Sequence, residues 1–125
     1  MRILELINVY LLKNRKLIFF LLEEIKQCVP KNSWDTYYNQ INCIQKIQWV
    51  LEKEVNLYYY KDCKDIKLFN QNEVQVATIN IDANNKKYKI HIFALEGKIF
   101  SLESNMPFKK LLIRDIENIE LQCKI

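Results

Sequence analysis

The chain has 125 residues, 50% of them apolar and 27% charged, with a formal net charge of +4 from 19 basic and 15 acidic side chains. That balance suits one globular domain with its own core and does not suit a disordered chain. A single glycine and a single histidine exclude phosphate-cradling glycine loops and most histidine-based chemistry.

Residues 2–28 carry helical periodicity, with Ile3, Ile7 and Leu11 followed by Ile18, Leu21, Leu22 and Ile25. Asn14 is a candidate break within them. The apolar run Leu17 to Leu22 is far short of the about twenty residues a membrane span needs. Glu5 stands inside what would be the apolar region of a cleavable signal, so a cytoplasmic location is expected. Val29-Pro30 ends the helical stretch, because the residue before proline is pushed out of the α region.

Ser33 is an N-cap candidate and Asp35 suits the first turn that follows. Trp34, Tyr37, Ile41, Ile44, Ile47 and Leu51 form one stripe at helical spacing. The expected helix therefore runs to about Lys53, with an extension through Tyr60 left open. Helical spacing alone accounts for the aromatic residues, so they read as core rather than as a ligand box.

From about residue 66 the pattern changes to alternation. Ile66 to Phe69 reads as a short strand or an extended loop. Glu73 to Ile81 reads as a strand whose phase shifts near Val76-Ala77, where a bulge would absorb the change. Asp82 to Asn85 is a turn. Lys87 to Leu95 is a strand with Tyr88, Ile90 and Ile92 on one face and His91, Phe93 and Leu95 on the other. Glu96-Gly97 is a two-residue hairpin turn, and Lys98 to Glu103 returns. A loop with Pro107 follows, and Glu117 to Ile125 alternates again. The fold expected is α+β, a single domain over 1–125. Its N-terminal helices (layer about 1–60) pack on a four-stranded antiparallel sheet (layer about 66–125).

Cys28, Cys43, Cys63 and Cys123 contain no CxxC pair. An even count permits two disulfides, but with no cleavable signal the four read as reduced thiols. His91 is a packed strand residue on this reading. Glu23-Glu24, Glu52/Glu54 and Asp62/Asp65 each fit an exposed face. No catalytic residue, metal ligand, cofactor or small-molecule substrate is expected, and the chain reads as not an enzyme. An unfamiliar hydrolase is the rival.

Tyr58-Tyr59-Tyr60-Lys61, with Lys64 and Lys67, could stack single-stranded bases. Asp62 and Asp65 interleave with those lysines and would oppose phosphate, so nucleic acid is the second reading behind protein contact. The partner-binding set expected is Glu52, Glu54, Tyr58, Tyr59, Tyr60, Asp62 and Asp65.

Leu95-Glu-Gly-Lys-Ile-Phe-Ser-Leu-Glu103, a strand, turn and strand before a proline-containing loop, resembles the sheet of small immunity proteins. Those proteins accompany bacterial polymorphic and contact-dependent growth inhibition toxins. The resemblance covers about the last third of the chain. It implies a cytosolic antitoxin that binds and neutralises one cognate toxin domain. It carries over no functional residue.

Overall fold

The computed structural model describes residues 15–61, 63, 66–69 and 73–124. The expected break at Asn14 lies outside them. Helix α1 covers residues 15–25 of the described chain. It buries Leu17, Ile18, Leu21, Leu22 and Ile25 almost completely. A 3-10 turn over Lys31–Ser33 leads into α2, Trp34–Asn42, which buries Tyr37, Gln40 and Ile41. Ser33 holds the N-cap position but makes no side-chain cap bond.

Helix α2 stops at Asn42, and Ile44–Leu51 and Glu54–Tyr59 are strands β1 and β2. With β3 (Glu73–Ala83), β4 (Lys86–Leu95), β5 (Lys98–Ser104) and β6 (Ile116–Cys123), the sheet has six strands, not four, in the order β1-β2-β5-β4-β3-β6. Every pairing is antiparallel. The class is α+β, but the sheet begins near residue 44 and not near 66.

Bulges explain why β1 reads as helix. Its register with β2 shifts between Ile44 and Lys46 and again between Trp49 and Leu51. An extra residue puts Ile44 and Ile47 on one face at a spacing of three, which imitates a helical stripe. The β1–β2 turn, Glu52-Lys53, contains no glycine or asparagine, and neither residue has positive φ. It therefore lacks the usual hairpin signal. The turn is held by the end of β5 and the loop that follows it: Ser104 N–H donates to Lys53 O at 2.8 Å and Phe108 N–H to Glu52 O at 3.0 Å.

The C-terminal hairpins are plainer. Glu96 and Gly97 have φ of 54° and 79°, and Asn84 and Asn85 have 50° and 61°. Two consecutive positive φ values match the right-handed twist of the flanking strands. In β3 the register shifts between Gln75 and Ala77. That shift carries Ala77, Ile79 and Ile81 onto the buried face. Segment 66–69 is not a strand. It is clamped, with Lys67 N–H on Asn39 Oδ1 at 2.8 Å and Phe69 N–H on Gly97 O at 2.9 Å.

One core cluster joins the helices to one face of the sheet. Leu17, Leu21, Ile25 and Tyr37 lie in it with Val55, Leu57, Ile79, Ile90, Ile92 and Ile99.

The cysteines correct a second expectation. Cys28 is bonded to Cys123, with Cα atoms 5.7 Å apart, and Cys43 to Cys63, with Cα atoms 5.9 Å apart. Both separations suit a disulfide. Cys28 follows α1 and Cys123 ends β6, so folding brings together residues that sequence spacing does not relate. Among the described residues no helix is long and apolar enough to cross a membrane.

Candidate binding surface

Among the described residues, the helices cover one face of the sheet and leave the other open. Alternation decides which side chains appear there. Buried Tyr88, Ile90, Ile92 and Ala94 of β4 point to the core, so Lys87, Lys89, His91, Phe93 and Leu95 point outward. Register extends this across the sheet. Glu54 of β2 faces Glu103 of β5, Glu103 faces His91 of β4, His91 faces Thr78 of β3, and Thr78 faces Gln122 of β6. This row of polar side chains crosses five strands of the open face.

His91 sits in a hydrogen-bonded group. Gln75 Nε2 approaches its Nδ1 at 2.6 Å and Thr78 Oγ1 at 2.6 Å, while Thr78 Oγ1 lies 3.1 Å from His91 Nδ1. An amide N–H can only donate, so Nδ1 accepts and the ring is neutral with its proton on Nε2. Burial, and then the charges of Lys89 and Lys124, push the His91 pKa down. Lys124 reaches Gln75 Oε1 at 3.4 Å. The ring of Phe93 lies 6.1 Å from that of His91.

On the next pair of strands, Glu103 has its carboxyl held above the ordinary value. Partial burial does most of this, and Glu54 adds like-charge repulsion and a hydrogen bond between the two carboxyls. Sequence reasoning missed Glu103. Its partner Glu54 lies far away in the chain, and no local motif announces the pair.

The expected partner-binding set divides. Glu54 and Tyr58 lie on the open face, where Lys46 Nζ stands 5.1 Å from the Tyr58 ring centroid. Glu52 is in the β1–β2 turn and pairs with Lys109 at 3.4 Å. Tyr60 is exposed just beyond β2. Tyr59 turns the other way, packs on the core and donates its hydroxyl to Ile99 O. Burial raises that phenol well above its usual range. Asp62 and Asp65 lie outside the described residues. The structure thus brings Glu54 and Tyr58 onto one face, and gives that face His91, Phe93 and Glu103, none of which belonged to the expected set.

Two shallow depressions mark the same side. One, of about 390 Å³, lies between the ends of β3, β4 and β5. The other, of about 400 Å³, is lined by polar groups including Asp82, Lys87, Asn105 and Glu120. Among the described residues no three His, Cys, Asp or Glu are gathered as a metal would require. No protein-family model matches the chain, and neither the curated proteins nor the solved structures contain a match.

Proposed function

We propose that this protein is a non-catalytic binding module of the immunity type, which docks on a bacterial toxin domain and blocks it. The open face of the six-stranded sheet supports this reading. It is broad, and it mixes carboxylates (Glu54, Glu103, Glu120), aromatic rings (Tyr58, Phe93) and neutral polar groups, as protein-contacting surfaces do. The state of His91 also favours binding over turnover. Its Nδ1 is occupied by Gln75.

Nucleic acid is the weaker reading. Lys87 faces Asp82 in register, and Lys89 faces Asn80, which in turn faces Glu120 on β6. Interleaved acids reduce the phosphate attraction on which such binding depends. The expected cytoplasmic location rested on the lack of a cleavable signal, and the expectation of free thiols followed from it. Two disulfides favour an oxidising compartment instead, and we infer that the module works there.

Co-expression with the product of the neighbouring reading frame, tested for toxicity on its own, tests the proposal. Protection of a susceptible cell, and a stable complex with that product, are expected. Absence of both, together with salt-sensitive binding to generic RNA or DNA, would overturn it.

A further inference from the structure

The depression between β3, β4 and β5 has a definite chemistry. A register shift between Phe93 and Ala94 opens it. Its walls are Val74, Phe93, Leu95 and Phe100, with Gln75 and Glu103 at the rim. Leu95 is among the exposed large apolar residues of the chain. Glu54 stands beside Glu103 across β2 and β5. The ion pairs of the described residues engage Glu23, Asp35 and Glu52, and none reaches Glu54 or Glu103.

We propose that this depression receives an arginine side chain from a protein partner, with its stem and guanidinium plane against Phe93 and Phe100 and its charge on the Glu103–Glu54 pair. Charge complementarity selects the occupant. An acidic or phosphorylated side chain would be repelled by two carboxylates. A purely apolar one would bury them without compensation. Lysine would meet the charge, but its compact ammonium does not stack on rings or fork across two carboxyls as guanidinium does. The raised pKa of Glu103 is consistent with a carboxylate pair that lacks a cation.

This inference deepens the protein-binding reading and rests on it, but it is testable without the partner. N-acetyl-arginine amide is titrated into the full chain while backbone amide shifts are followed by NMR. Saturating shifts are expected at Phe93, Phe100 and Glu103, with weak, about millimolar, affinity for so small a probe. The neutral isostere N-acetyl-citrulline amide should bind about tenfold more weakly, the equivalent of one modest charge-assisted contact. Glu103→Gln should remove that preference, and Glu54→Gln should reduce it. Equal binding of citrulline and arginine, equal binding of lysine and arginine, or shifts away from the depression would each overturn the inference. A toxin complex unaffected by Glu103→Gln and Glu54→Gln would sink the arginine pocket while leaving the immunity reading intact. Arginine selectivity with no protein partner would do the reverse.

Discussion

The side-chain amide of Gln40 donates to the carbonyl of Gly97 at 2.9 Å, linking helix α2 to the tip of the β4–β5 hairpin. The same nitrogen donates to Lys67 O at 2.8 Å, and the amide oxygen accepts from Ile99 N–H at 2.9 Å. Gln40 is fully buried, so these partners have little access to water. Gln40→Ala leaves the Ile99 N–H without its acceptor and should cost about 2–4 kcal/mol. Urea unfolding measures this. A loss below about 0.5 kcal/mol, the size of an ordinary surface change, would show that the clamp does not hold the hairpin.

The hairpin tip offers a test of opposite signs on adjacent residues. A Cβ on Gly97 would lie 2.9 Å from Leu68 Cβ and 3.0 Å from Phe69 O, at a φ of +79°. Gly97→Ala should therefore destabilise by about 1–3 kcal/mol. Glu96 is exposed and also has positive φ, at 54°. Glu96→Gly removes that strain and should be neutral or stabilising by up to about 1 kcal/mol. Thermal unfolding of both variants checks the ordering, and a more stable Gly97→Ala protein would contradict it.

These positions also show what the sequence makes legible. Gly97 and the strict alternation of Tyr88, Ile90 and Ile92 beside His91, Phe93 and Leu95 mark the β4–β5 hairpin by local chemistry alone. The bulge in β3 is visible in the phase change near Val76-Ala77. Strands β1 and β2 are hidden by the same device: bulges in β1 turn alternation into a helix-like spacing, and Glu52-Lys53 turns without a glycine. The Cys28–Cys123 bond and the Glu54–Glu103 pair join residues remote in the chain, so they are properties of sheet order and carry no local signal. Gln40 gives no warning either, since one amide beside an apolar stripe resembles any helix-surface residue.

The disulfides make a sharp prediction. Thiol titration under denaturing, non-reducing conditions should find no free cysteine. The Cys43–Cys63 bond spans a sequence separation of 20 and the Cys28–Cys123 bond one of 95. Constraining the unfolded chain by loops of these lengths stabilises by about 3 and about 4–5 kcal/mol, respectively, on the loop-entropy account. Reduction should therefore lower the unfolding midpoint, and Cys28→Ser should cost more than Cys63→Ser. Four titratable thiols in the native protein would restore the cytoplasmic reading.

Adjacent tyrosines separate binding from stability. Tyr59→Phe removes one hydrogen bond to Ile99 O and should cost about 1 kcal/mol of stability without changing partner affinity. Tyr58→Ala and Glu54→Lys alter the open face. They should leave stability within about 0.5 kcal/mol, typical of surface positions, and weaken the toxin complex. Glu54→Lys should act chiefly by slowing association with a basic partner. Unfolding curves and surface-plasmon kinetics on the same variants resolve the two effects. A complex disturbed by Tyr59→Phe but not by Tyr58→Ala would place the contact on the wrong face of the sheet.

His91 provides the last prediction, because it is the only histidine in the chain and its NMR resonance needs no assignment. Burial first, and then Lys89 and Lys124, lower its folded pKa below the ordinary 6.5. The unfolded chain then takes up the proton at higher pH than the folded one. The neutral ring's contribution is fully present above about 6.5 and is lost as pH falls from there through the lowered folded value. Protonation would also set an N–H on Nδ1 against the Gln75 amide that donates to it. Glu103 works in the opposite direction. Its raised value means that the folded protein is protonated first, so stability is gained as pH falls through that raised value. A titration of the His91 ring with a midpoint below 6.5 is expected, and Lys124→Gln should move the midpoint up. A midpoint at or above 6.5 would mean that the ring is solvated and that its contacts with Gln75 and Thr78 do not persist in solution.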